Sequence, residues 1–150
     1  LNLTDNQRGI GRMSALGAGI VVQQLGIETI VQMTCQHRNR IALQADVLSG
    51  SVCGINNFLC MTGDHPKIGD HPDTKNVLDL NSFQLIRALR MMRDEGTFQS
   101  GTPLSDAPRF LVSFDFACVT RIRKRSSPRS SGRARSVRTS DPMPSSSPVR

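Results

Sequence analysis

Asn57-Phe58-Leu59-Cys60-Met61 is a nearly unbroken apolar run, and it leads directly into Thr62-Gly63-Asp64-His65-Pro66. A strand with one wet face alternates apolar and polar residues, whereas a strand of a covered parallel sheet reads as a continuous apolar segment. Residues 57–61 therefore read as a buried parallel strand, and Thr62-Gly63-Asp64 as its carboxyl end. Parallel strands need crossover connections, usually helical, so the flanking sequence should alternate helix and strand.

It does. Upstream, Asn39 can cap a helix in which Ile41, Ala45, Leu48 and Val52 recur at i, i+4, i+7 and i+11, with Gly54 as its stop. Before it, residues 28–34 are β-branched and bounded by turn chemistry, as a buried strand would be. An earlier helix is expected over residues 9–25, with Ile10, Met13, Leu16, Ile20 and Leu25 on one stripe and Gly26 past its end. Gly9, Gly11, Gly17 and Gly19 each weaken it by about 1 kcal/mol against alanine. Residues 1–4 look like the end of a still earlier strand. Downstream, a polar loop runs from Thr62 to Leu80, and Asn81 or Ser82 caps a helix carrying Leu85, Ile86, Leu89 and Met92. Residues 109–114 form a last short strand. The order β-α-β-α-β-α-β predicts an α/β fold with a parallel sheet, either doubly wound or part of a (β/α) barrel.

Charge divides the chain in two. Nine of its 19 Lys and Arg residues lie in residues 121–150 against one acid, Asp141, which leaves ten bases and eleven acids in residues 1–120. The body is electrostatically ordinary, and the tail, rich in Arg, Ser and Pro, cannot build a core and reads as disordered. Cys35, Cys53, Cys60 and Cys118 show no zinc-like spacing and sit in or beside apolar runs, as reduced core thiols do. That usage points to a reducing, cytoplasmic compartment. No apolar run approaches the roughly 20 residues of a membrane span. Leu1 is not a methionine, and the chain reads as beginning inside a longer frame.

Gly-Asp-His-Pro occurs twice, at residues 63–66 and 69–72. Asp64, His65, Asp70 and His71 are metal-ligand types, but adjacent residues rarely aim at one centre, and no metal is expected. The second copy lies mid-loop and suits a plain turn pair. The first is delivered by a strand to the place where parallel β/α proteins bind ligands. Gly63 there would let the backbone approach a flat ligand, and Asp64 would fix a negative charge. Gln32-Met33-Thr34-Cys35 and Thr4-Asp5-Asn6 end the two preceding strands in the same way. Three strand ends with polar groups on one rim favour a site.

These residues resemble the methylenetetrahydrofolate reductase family. The likeness is carried by residues 31–35 (Val-Gln-Met-Thr-Cys), 38–46 (Arg-Asn-Arg-Ile-Ala-Leu-Gln-Ala-Asp), Gly54-Ile55-Asn56-Asn57, Thr62-Gly63-Asp64-His65-Pro66 and 77–82 (Val-Leu-Asp-Leu-Asn-Ser). It extends over about residues 1–112. The resemblance implies a (β/α)8 TIM barrel holding flavin adenine dinucleotide (FAD). It also implies a nicotinamide reductant, NAD(P)H, and reduction of 5,10-methylenetetrahydrofolate to 5-methyltetrahydrofolate for methionine synthesis. It makes Asp64 the aspartate beside the flavin ring, which restrains flavin potential and favours the cationic iminium form of the folate. Thr4, Gln32, Thr62, Gly63, His65 and Asp79 become cofactor-binding positions, with Gln32 where many members carry histidine and Thr62 where many carry arginine. The family's general acid, a glutamate after the first barrel strand, would precede Leu1. Residues 1–115 thus read as an internal piece of the barrel, about four strands, not expected to turn over alone. Residues 116–150 read as an off-frame tail. Two rivals stand beside this: nucleic-acid binding through the basic tail, which has no aromatic residue for base stacking, and a pterin or corrinoid methyltransferase barrel.

Overall fold

Four short strands pair side by side, all parallel, in the computed structural model, which describes residues 1–114. They are β1 (Asn2–Leu3), β2 (Ile30–Thr34), β3 (Asn57–Met61) and β4 (Leu111–Phe114), and their order across the sheet is their order in the chain. Helices α1 (Ala15–Gln24), α2 (Arg40–Val52) and α3 (Ser82–Arg90) make the crossovers, and α3 runs on into a π-helical turn at Met91–Glu95. The tail expected over residues 116–150, with its bases and Cys118, lies outside the described residues, and so does any nucleic-acid contact it would make.

The monotonic order separates the two architectures that the sequence left open. A doubly wound sheet reverses its order at a switch point. Here nothing reverses, and right-handed crossovers then place every helix on the same face. The core has that one-sidedness. Val31, Met33 and Cys35 along β2, Phe58 and Cys60 on β3, and Phe110 and Val112 at β4 join Leu43, Val47, Leu85 and Leu89 in one buried cluster. Phe58 and Phe110 meet edge to face, centroids 5.4 Å apart. Of the other parity, Gln32, Asn57, Met61 and Ser113 are half-buried, while Thr34 and Leu59 are buried. Helices outside and an open inner face make this an arc of a (β/α)8 barrel. Among the described residues, no helix is long and apolar enough to cross a membrane.

Two helices depart from the pattern read in the sequence. The first starts at Ala15, not Gly9. Asn6, Arg8 and Gly9 take left-handed backbone (φ 46, 62 and 65), which a right-handed helix cannot contain. Ser14 then caps the helix by accepting from the Gly17 N–H at 3.0 Å. Ile10 and Met13 fall before it, and Leu25 past its end is 73% exposed. In α2 the cap is as expected, with Asn39 Oδ1 accepting from Ala42 N at 2.9 Å. The buried face is not: Leu43, Gln44, Val47 and Gly50 face inward, while Ile41 is 75% and Val52 89% exposed. Gly50 decides this, because a Cβ there would come within 2.9 Å of the Phe58 ring. The helix lies against the sheet where it has no side chain. At α3, Asn81 is the cap and forms a reciprocal box with Gln84, both bonds at 2.9 Å.

Burial reverses what the sequence pattern implied for two leucines, Leu25 on the expected stripe of the first helix and Leu43 off that of the second. Leu43→Ala should destabilise by about 2–5 kcal/mol through the cavity it leaves. Leu25→Ala should stay within about 0.5 kcal/mol. Urea unfolding of both variants checks this, and comparable losses would contradict the assigned faces.

Candidate active site

The carboxyl ends of β1, β2 and β3 open onto a cavity of about 420 Å³. Asp5, just past β1, forms part of its floor and is 4% exposed. A buried carboxylate must be paired and hydrogen-bonded. Its Oδ2 accepts from the Thr34 backbone N–H at 3.0 Å and from the Thr34 hydroxyl at 2.9 Å, and it is also ion-paired with the Arg38 guanidinium. Arg38 reaches on to Asp46 of α2 at 2.8 Å. On the wall above, Gln32 Nε2 donates to Asn2 Oδ1 at 3.1 Å, and the Thr62 hydroxyl donates to that of Ser82 at 3.4 Å. Met61 and Phe83 supply apolar surface.

Asp64 stands on this rim, and its Oδ2 accepts from the Arg8 backbone N–H at 2.7 Å. Asp70, in the second Gly-Asp-His-Pro copy, does a parallel job: its two oxygens lie 3.2 and 3.3 Å from the Gly11 N–H. Both carboxylates thus hold the loop that follows β1, at amides three residues apart. The second copy is therefore more than a turn pair. Its glycine is required too, since a Cβ on Gly69 would run into the Gly9 carbonyl.

Gly63 also has a role within the fold. At φ +92 it is in glycine's region, and a Cβ would sit 2.9 Å from Thr34 Cβ and 3.0 Å from Gln36 Cβ. The close neighbour is the end of β2, so the missing side chain lets the strand ends converge.

Of the residues singled out in the sequence, Gln32, Thr62, Gly63 and Asp64 line the cavity together. Thr4, His65 and Asp79 do not. Thr4 is exposed beside Asp5. His65 turns back on its own loop, with Nδ1 accepting from Lys67 N at 3.2 Å and Nε2 at 2.8 Å from Asn76 Nδ2. Asp79 is held at the start of α2 by Arg40, through Nε and Nη2 at 2.8 Å each and the backbone N–H at 2.9 Å. Gln7, Ser82 and Phe83 were not read as site residues yet line it. Phe83 had a legible signal: a helix N-terminus in a β/α unit lies at the carboxyl end of the strand before it, and an aromatic there faces the rim.

The thiols of Cys35 and Cys60, beside the cavity, are not poised for chemistry. Burial pushes Cys35 up to about 11 against the opposing pull of Arg38. Burial, and secondarily Cys35, raises Cys60 still further, so both stay protonated at neutral pH. Among the described residues no three metal-ligating side chains converge.

Gly63→Ala should cost about 2–3 kcal/mol, from a left-handed alanine together with overpacking against Thr34. A denaturation midpoint equal to wild type would show that the strand ends do not need the close approach. A pH effect follows from Asp79. Hydrogen bonds from the Arg40 side chain, then from its backbone, hold the carboxyl down at about 2, against an ordinary 3.8. A carboxyl depressed on folding adds stability above its unfolded value and loses it as pH falls through its folded one. The gap in unfolding midpoint between wild type and Asp79→Asn should therefore be present above pH ~4 and close toward pH ~2. A gap independent of pH over that range would rule the charge pairing out as its source.

Comparison with curated proteins and with solved structures returned no match. Comparison with protein families matched one described as methylenetetrahydrofolate reductase, over residues 1–101, which takes in the whole cavity rim from Asp5 to Phe83. The chain belongs to the methylenetetrahydrofolate reductase family, oxidoreductases of folate chemistry that are generally flavin-dependent.

Proposed function

We propose that this cavity is the site at which 5,10-methylenetetrahydrofolate is reduced to 5-methyltetrahydrofolate, with FAD as cofactor and NADH or NADPH as reductant, in cytoplasmic one-carbon and methionine metabolism. The observation that carries this reading is Asp64, a carboxylate set on the rim by a buried strand and fixed there by the Arg8 N–H.

The residues present suit a flavin. The cavity is of ligand size and pairs apolar surface from Met61 and Phe83 with convergent hydrogen-bonding groups from Gln32, Thr62 and Asp64. When bound, FAD would supply hydride transfer. Gln32 and Thr62 would hold its polar edge, and the backbone at Thr62 and Gly63 would line it. Thr4 and His65 would contribute from beside the rim. Asp79, engaged by Arg40, would act by positioning the end of the 62–80 loop. Asp64 would favour the cationic iminium form of the folate beside it and disfavour excess negative charge nearby. The methyltransferase barrel, the rival of similar substrate chemistry, gains no support from the family match.

Asp64→Asn keeps shape and removes charge. FAD should still bind, monitored by flavin absorbance. Reduction by the nicotinamide should survive in stopped flow. Transfer to the folate should fall on the order of a hundredfold, about 3 kcal/mol, as when one preorganised charge-stabilising group is lost. Asp70→Asn retains an acceptor for Gly11 and should leave both half-reactions close to wild type. These half-reactions are followed in a full-length family member with the same Thr-Gly-Asp-His-Pro, because the four-strand piece is not expected to turn over alone. Equal loss from both substitutions, or none from Asp64→Asn, would remove Asp64 from the chemistry.

A further inference from the structure

All the donors that reach Asp5 meet one of its two oxygens. Oδ2 accepts from the Thr34 N–H at 3.0 Å, from the Thr34 hydroxyl at 2.9 Å and from Arg38, while Oδ1 has no donor among the described residues. Carboxylates that hold loops in this fold use both oxygens: Asp79 accepts from Arg40 on Oδ1 and Oδ2, and Asp70 sets both against the Gly11 N–H. The Asp5 side chain is 1% exposed. Its Oδ1 is nevertheless not sealed off, as the unpartnered oxygens of Thr29, Ser51 and Gln99 are. The access it keeps is to the cavity that Asp5 lines. Thr34 lines the same cavity and is also buried. A hydroxyl has one proton, and this one is committed to Asp5 Oδ2, so Thr34 Oγ1 offers a ligand only lone pairs. A carboxylate oxygen likewise only accepts. The floor is therefore acceptor-only, and a buried acceptor without a donor is costly.

We propose that Asp5 and Thr34 are specificity-determining residues, whose Oδ1 and Oγ1 accept the two neighbouring N–H donors of an amidine-like ring edge. The inference rests on the folate reading of the cavity and deepens it: in that substrate the edge is the N3–H and 2-amino group of the pterin. The flavin ring does not suit the same place. Its pyrimidine edge flanks a single N–H with two carbonyls, and one of these would set its lone pairs against those of Thr34. The Thr34 amide and Arg38 hold the carboxylate in one geometry, so the acceptor is in position before the ligand arrives. The hydrogen bonds on Oδ2 account for the fold, and Oδ1 is left for recognition.

The test compares steady-state reduction of 5,10-methylenetetrahydrofolate with that of its 2-desamino analogue, in a full-length family member that carries Asp5, Thr34 and Arg38 in the same motifs. Wild type should favour the parent folate on the order of a hundredfold in kcat/KM, because the analogue leaves a buried acceptor unpaired. In Asp5→Asn the amide oxygen stays with the two Thr34 donors and the NH2 takes the place of Oδ1, so the preference should fall to within about threefold. Thr34→Val removes the second acceptor and leaves Oδ1. It should lower the preference about tenfold, and it gives the same reading if Asp5→Asn does not fold. Arg38→Gln breaks the ion pair and touches neither acceptor, so it should lower the unfolding midpoint while the preference keeps its wild-type ratio. A wild type that reduces both folates equally, or an Asp5→Asn that keeps the full preference, would overturn this inference and leave the folate reading standing. Absence of folate reduction altogether would overturn that reading, and this inference with it.

Discussion

Asp5 is a carboxylate taken out of water just past β1, and what meets it there fixes the top of the sheet. The backbone and hydroxyl of Thr34 bind it from β2, and Arg38 neutralises it from the β2–α2 loop. Removing such a charge from water costs several kcal/mol unless partners replace the lost hydration, so the three donors and the carboxylate are bound to one geometry. Arg38 then extends the constraint to Asp46, so α2 is tied to the strand ends as well as packed on the sheet.

The loop after β1 depends on the other two carboxylates. Asn6 and Arg8 are non-glycine residues in left-handed backbone, a conformation that costs on the order of 1 kcal/mol or more and persists only where the surroundings impose it. Asp64 accepts from the amide of Arg8, and Asp70 accepts from Gly11 just beyond the left-handed segment. The arrangement works in both directions. The loop is held in strain by the carboxylates, and Asp64 is held in one position by the loop. A charge that must act at one point on a ligand gains from not having to be organised when the ligand arrives.

Strands and caps were legible in the sequence because local chemistry decides them. The apolar run at residues 57–61, the Asn39 and Asn81 caps and the β2 segment needed no knowledge of the rest of the chain. The wrong face of α2 was a different kind of problem. Two apolar stripes share that helix, one through Leu43 and Val47 and one through Ile41, Ala45, Leu48 and Val52, and periodicity cannot rank them. The choice came from Gly50 against Phe58, a contact between residues that no local window joins. The start of α1 was misread for a related reason: glycines weaken a helix in proportion to their number, but here the left-handed turn at Arg8 and Gly9 excludes it altogether. Of the candidate site, the strand-end residues Gln32, Thr62, Gly63 and Asp64 could be read. That Asp79 would be drawn to Arg40, and that Gly63 makes room for Thr34, are tertiary facts.

Helix α2 connects the two ends of this description. Its first turn is gripped by Asp79, which closes the 62–80 loop, and its second by Arg38, which reaches Asp5 beneath the cavity. One ion pair comes from the β2–α2 loop and the other from the end of the 62–80 loop. Surface ion pairs add little to stability one at a time. Their larger effect here is on orientation: they fix the rotation of α2 about its own axis, which Gly50 also requires. Once that rotation is set, Leu43 and Val47 must be core and the 41-45-48-52 stripe must face outward. The same two contacts that help shape the cavity therefore determine which apolar face the helix presents to the surroundings.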